Sequence, residues 1–186
     1  MQIPVLGMDP SLSAWGLAAA QLDLDTGILT TPRLVLSSPK DRSGKQVRVN
    51  SKDLYRAETL AAAVLEEVSK AKAIFVEVPV GSQSARAMAS YGICIGILGT
   101  VRAQGTQLIE VTAREVKEAL TGDSGASKNQ MIKAASELYP EANWPKGREP
   151  GTIANKAEHL ADAIGAIHAG VNVPVFQNLM NLLKGI

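Results

Sequence analysis

The sequence predicts an α/β fold, a mixed five-stranded sheet flanked by helices, and three observations carry that expectation. Short apolar segments separated by turn residues open the chain and read as an antiparallel meander. A strand-length apolar run, a long uncharged helical run and another strand-length run then follow in succession, the pattern of a right-handed parallel crossover. Beyond them come helix starts and loops.

Val5 to Met8, Trp15 to Leu22 and Leu34 to Leu36 are the strands of the meander, with Asp9-Pro10-Ser11 and Asp25-Thr26-Gly27 as turn signals. From Ser37 to Asn50 the chain is polar and basic. Ser51 is the expected N-cap of a helix reaching Lys70, with Leu54, Ala57, Leu60, Ala61, Val64, Leu65 and Val68 on its apolar face. Ala73 to Val80 has strand length, Ser84 to Gln104 helix length, and Gln107 to Val111 forms the next strand. Thr112 and Glu115 stand at capping-box spacing before a helix ending near Leu120. Gly122 to Gly125 is a loop, Ser127 opens a helix that stops before Pro140, and Glu141 to Gly151 reads as irregular. A helix starting near Asn155 carries His159 and Asp162. This order matches the ribonuclease H-like architecture.

At 186 residues and 46% apolar, the chain suits a single domain, 1–186, with one substantial core. A net charge of +1 lacks the strongly basic balance that marks a nucleic-acid binder by itself, so any such surface is local. The single cysteine, Cys94, lies in an apolar helical stretch and reads as a small core residue in a reducing, cytoplasmic setting. No secretory pattern opens the chain, and Ala87 to Val101 is too short to span a bilayer, so no membrane association is expected.

Asp9, Glu77, His159 and Asp162 are charged or ionisable groups in segments built for burial. Asp9 closes an apolar strand, Glu77 interrupts Ile74-Phe-Val-Glu-Val-Pro-Val80, and His159 and Asp162 share one side of an Ala-rich helix. Taken singly, an Asp-Pro turn and a solvated helix face also account for three of them. Together they suit convergence on cations, because crowded carboxylates without a counter-charge are costly to ionise. An oxygen-rich set with one imidazole fits Mg²⁺ or Mn²⁺, and two such ions can flank a phosphodiester undergoing in-line hydrolysis. Glu158 points about a quarter-turn from His159 and is a reserve ligand or a solvated residue. The segment Lys40 to Arg56 holds Lys40, Arg42, Lys45, Arg48, Lys52 and Arg56 against Asp41 and Asp53, and reads as a phosphate-tracking patch or a solvated loop.

The chain resembles the RuvC family of Holliday junction resolvases over nearly its whole length. Gly7-Met-Asp9-Pro10 followed by Gly16 is similar to the family's opening motif, and Glu77, Ser84-Ala85, Gly92 and Gly96 to its glutamate strand and following helix. Val116-Lys117, Thr121-Gly122, Ala126, Lys128 and Gln130 resemble the next series, and His159-Leu-Ala-Asp162-Ala163 the closing one. The resemblance implies that Asp9, Glu77, His159 and Asp162 hold two divalent metals, with His159 also assisting at the attacking water. It implies that Lys117 and Lys128 contact DNA phosphates, with Ser82 and Gln83 in the loop that faces the junction, and that the protein is a homodimer resolving four-way and other branched DNA. Three positions depart: Ser11 replaces a glycine, Gly125 comes one place late, and Val80 stands where the family often has an aromatic wedge. A ribonuclease H-type nuclease on RNA–DNA hybrids and a catalytically silent junction-binding protein are the alternatives. An actin-like ATPase would need a second half for which this chain has no room.

Overall fold

The computed structural model describes residues 1–40 and 48–184. Strands β1 (Gln2–Asp9), β2 (Trp15–Asp23) and β3 (Arg33–Ser37) come first, then helix α1 (Val49–Val68), β4 (Ala73–Glu77), α2 (Ala85–Ala103) and β5 (Leu108–Val111). Helices α3 (Ala113–Thr121), α4 (Lys128–Leu138), α5 (Glu158–Gly170) and α6 (Pro174–Lys184) complete the chain, with a 3₁₀ turn at Asn155–Ala157 leading into α5. The sheet order is β3-β2-β1-β4-β5. β1, β2 and β3 pair antiparallel, whereas β4 pairs parallel with both β1 and β5, so the sheet is mixed as the sequence predicts.

Side chains alternate between two cores, as the strand period of two requires. Val5, Ala18, Ala20, Ala73, Phe75 and Ile109 pack with α3, α4, α5 and α6, while Leu6, Met8, Leu17, Ile74 and Val76 pack with α1 and α2. Cys94 is a buried member of the second core, as expected. Almost every residue of α5 from Leu160 to Gly170 is buried, because the helix lies on β1, β2 and β4 and is flanked by α3 and α4. That explains its apolar composition all round. The capping box of Thr112 and Glu115 forms, and Ser127 with Gln130 makes a second one at the start of α4.

Three local expectations are corrected. Helix α1 begins at Val49 behind Arg48, leaving Ser51 within its first turn, and its buried face carries Asp53 while Leu54 is 69% exposed. β4 ends at Glu77, not Val80: Val78 N–H still donates to Val111 C=O, but Pro79 has no N–H to extend the ladder. Val80 is left 88% exposed before Gly81, whose φ of 114° turns the chain away. On α2, a Cβ at Gly92, Gly96 or Gly99 would meet nothing within 4 Å, so these three glycines face open space. Helix α6 has no counterpart in the sequence reading; Phe176 anchors it edge-to-face on Phe75, with ring centroids 4.9 Å apart.

Candidate active site

Asp9 and Glu77 end neighbouring parallel strands. The register that pairs Met8 with Val76 sets both carboxylates at the same level, and each lies in phase with residues of the α5-facing core, Gly7 and Val5 in β1, Phe75 and Ala73 in β4. The C-terminal ends of parallel strands are where an open α/β sheet leaves a crevice. Two glycines bring α5 down onto that crevice. A Cβ at Gly7 would lie 1.9 Å from the Ala163 carbonyl oxygen, and one at Gly16 would lie 1.9 Å from that of His159. Only glycine at these two positions lets the helix backbone rest directly on β1 and β2, which gives the Gly7-x-Asp9…Gly16 spacing its physical reason.

His159 sits in the first turn of α5 and Asp162 one turn on. His159 Nδ1 lies 2.6 Å from Asp9 Oδ2, a hydrogen bond spanning 150 residues of sequence. His159 Nε2 is 3.8 Å from Glu158 Oε1, and Glu158 Oε2 accepts an ion pair from Lys128 Nζ at 2.7 Å. Burial works against the imidazolium, but the hydrogen bond and charge of Asp9 outweigh it and hold the His159 pKa above its ordinary value. Glu77 is pushed up to about 8 by burial and then by the charges of Asp9 and Asp162, with Lys117 and His159 pulling the other way. Asp162 is pushed up to about 7 by burial and Asp9, again against His159 and Lys117.

These mutual shifts describe one electrostatic unit at the end of β1 and β4. The four residues singled out in the sequence are therefore brought together. Among the described residues no three His, Cys, Asp or Glu groups are disposed around a single ion position, and the Asp9 carboxylate is hydrogen-bonded to His159. The donor chemistry nonetheless fits a hard divalent cation. Three carboxylates and one imidazole supply it, and two of those carboxylates are held so far above their ordinary range that added positive charge is the direct relief.

The lysines of the sequence reading fall at this site, in different ways. Lys117 is half-buried on α3 and acts electrostatically on both Glu77 and Asp162, a placement the sequence did not disclose. Lys128 is exposed at the start of α4 and engaged by Glu158, so Glu158 holds a lysine where it was read as a reserve ligand or a solvated residue. Ser82 and Gln83 are exposed in the loop after β4, and Arg48 is exposed before α1; neither group joins the carboxylates. In the basic segment, Asp41, Arg42 and Lys45 lie outside the described residues. Arg56 pairs with Asp53 at 3.6 Å, and Arg86 from α2 grips the same carboxylate at 2.5 and 2.7 Å, so Asp53 neutralises charge that the sequence assigned to a patch. No helix among the described residues is long and apolar enough to cross a membrane.

Neither the family models nor the curated proteins yield a match to this sequence. Solved structures do. The Thermus thermophilus RuvC structure is 19% identical, with 100% of this chain and 97% of that one covered and a TM-score of 0.59. T. thermophilus RuvC in complex with Holliday junction substrate is also 19% identical, with 96% of each chain covered and a TM-score of 0.61. With nearly all of both chains covered at these TM-scores, the mixed five-stranded sheet and its flanking helices form the α/β fold of RuvC.

Proposed function

We propose that this protein is a metal-dependent endonuclease of the RuvC family that resolves Holliday junctions and acts on related branched DNA. The observation that carries the reading is the convergence of Asp9, Glu77, His159 and Asp162 beneath the first turns of α5, in a chain whose fold is that of RuvC. Asp9, Glu77, His159 and Asp162 would hold two ions, Mg²⁺ or Mn²⁺, which supply Lewis-acid polarisation of the scissile phosphate and a nucleophilic water of lowered pKa.

The chain's own groups do the rest. Asp9 accepts the Nδ1 proton of His159, fixing the ring and leaving Nε2 as the nitrogen that can take a proton or donate its lone pair. Lys117 brings a positive charge to the edge of the carboxylates, where an in-line displacement gathers negative charge on the phosphoryl oxygens. Lys128 stands at the same end of the molecule and exchanges Glu158 for a DNA phosphate. Ser82 and Gln83, together with Arg48, offer further polar contacts to the DNA, and the exposed Val80 takes the place of an aromatic wedge.

Symmetric cutting of a four-way junction needs two such sites related by a two-fold axis. The outer face of α2 suits a second copy: Gly92, Gly96 and Gly99 have open space beside them, and Met88 and Ile95 are each 46% exposed. The test is incubation of the purified protein with labelled four-way, Y-shaped, duplex and RNA–DNA hybrid substrates in Mg²⁺ and in Mn²⁺. Metal-dependent nicking of the junction is expected. Preference for the hybrid would favour a ribonuclease H-type activity, and junction binding with no cleavage in either metal would mark a silent binding protein.

A further inference from the structure

The segment between α4 and α5 is a built platform, although the sequence gives it no regular element. Asn143 clamps it to the free edge of the sheet: Leu34 N–H donates to the Asn143 side-chain oxygen at 2.7 Å, and Asn143 Nδ2 donates to Leu34 C=O at 2.8 Å. Trp144 Nε1 donates to Tyr139 C=O at 2.9 Å, while its ring packs against the core beneath. Residues 146–153 then fold back on themselves. Gly147 N–H donates to Thr152 C=O at 2.7 Å, Ala154 N–H to Pro145 C=O at 2.9 Å, and Thr152 Oγ1 to Glu149 C=O at 2.7 Å. Lys146 and Ile153 form an antiparallel bridge.

This platform displays Lys146, Arg148 and Lys156, all exposed, around a concave surface of about 660 Å³. None of the three makes an ion pair among the described residues, and Glu149 is the one carboxylate between Lys146 and Lys156. Elsewhere Arg33, Lys70, Arg86, Arg102, Lys128 and Lys133 each have a carboxylate partner, whereas Lys72 before β4 and Arg114 and Lys117 on α3 make no ion pair among the described residues. The platform gathers three unpaired cations on one short segment. The platform also runs straight into the site. Lys156 lies three residues before His159, about 5 Å along the helix axis at 1.5–2 Å per residue.

Uncompensated cations repel one another, and a rigid scaffold that holds them together beside a phosphodiester-cleaving centre is suited to a polyanion. We infer that the 143–156 platform is a phosphate clamp, in which Lys146, Arg148 and Lys156 grip the DNA backbone of the arm leaving the active site past the start of α5. This rests on the endonuclease reading and adds a second, non-catalytic contact to it. Arg148 suits bidentate engagement of a phosphate, and the two lysines act as point charges on its flanks.

The full-length protein carrying Lys146→Gln, Arg148→Gln and Lys156→Gln tests the clamp. Junction affinity would be measured in Ca²⁺ over a potassium chloride series, and single-turnover cleavage in Mg²⁺ or Mn²⁺. The expected result is a Kd raised about 10- to 100-fold and a plot of log affinity against log salt shallower by about 2 to 3, with the loss falling on binding and not on the single-turnover rate. The charge-conserving set Lys146→Arg, Arg148→Lys and Lys156→Arg should recover most of the affinity, which separates lost charge from a misfolded loop. A wild type that cuts junctions alongside a neutralised variant of unchanged Kd and salt slope would overturn the clamp and leave the endonuclease standing. A wild type that neither binds nor cuts any branched DNA would overturn both, and that result is read without the variants.

Discussion

Asp53 and Glu67 on α1 are 7% and 5% exposed, and each is met by a guanidinium from elsewhere in the chain: Arg86 for Asp53, Arg33 for Glu67, with Lys70 assisting. Glu77 and Asp162, at the end of β1 and β4, have only Lys117 and His159 to offset one another and Asp9. Arg86 holds Asp53 below the usual carboxylate range; burial works to raise Glu67, but Arg33 and Lys70 overcome it. Glu77 and Asp162 go the other way, to about 8 and about 7. The first pair is a finished piece of scaffold. The second stores an electrostatic demand that a divalent cation would meet, and it is this open demand, not burial as such, that separates these carboxylates from the structural pair.

Exchanging the charges tests that distinction. Asp9→Asn or Glu77→Gln should lower metal-dependent junction cleavage by on the order of 10³-fold or more in single-turnover assays while junction binding persists and Tm stays level or rises. Retained cleavage in either variant would remove that residue from the chemistry. Asp53→Asn should do the reverse: it strands Arg86 and loses about 1–3 kcal/mol by denaturant titration, with cleavage of the folded fraction maintained. Gly16→Ala should disturb both properties, costing about 1–3 kcal/mol and slowing cleavage, because the new methyl group meets the backbone of His159.

The smallest effect is in the pH dependence. Between the ordinary pKa values of 3.8 and 4.5 and the raised values near 7 and 8, Asp162 and Glu77 bind more protons folded than unfolded, and His159 shifts in the same sense. Their contribution to stability is therefore lost as pH rises, so metal-free protein should show a Tm roughly 5 °C lower at pH 8.5 than at pH 5.5, with Mn²⁺ restoring part of it. Asp53 has the opposite sign, its contribution being lost as pH falls below the ordinary carboxylate range. Asp9→Asn should flatten the alkaline decline and leave the acid limb untouched.

Much of this was legible in the sequence because it depends on local order. The period of two in β1 and β4 places Asp9 and Glu77, the spacing of three in α5 places His159 and Asp162, and the turn residues delimit the strands. What escaped depends on contacts between distant segments. Asp53 and Glu67 fall seven residues either side of Leu60, on the buried stripe of α1, and that spacing was the available signal; their arginine partners lie 33 and 34 residues away and carry no local mark. Lys117 was visible as a lysine at a suggestive interval, but its half-buried place beside Glu77 follows from how α3 packs on α5. The 143–156 platform was unreadable because its bonds run to the edge strand β3 and across its own turn, leaving no periodic pattern.

The two close contacts of α5, with Gly7 on one strand and Gly16 on the next, have a consequence for the order of synthesis. Asp9 and Glu77 are made in the first half of the chain, yet the helix that completes their site is translated some 80 residues after Glu77. Until α5 settles against bare backbone at those glycines, a growing chain has two acidic strand ends and no imidazole to join them. The four-residue cluster is thereby tied to the synthesis of α5, and a chain stalled before Glu158 would carry Asp9 and Glu77 with neither His159 nor Asp162 to join them.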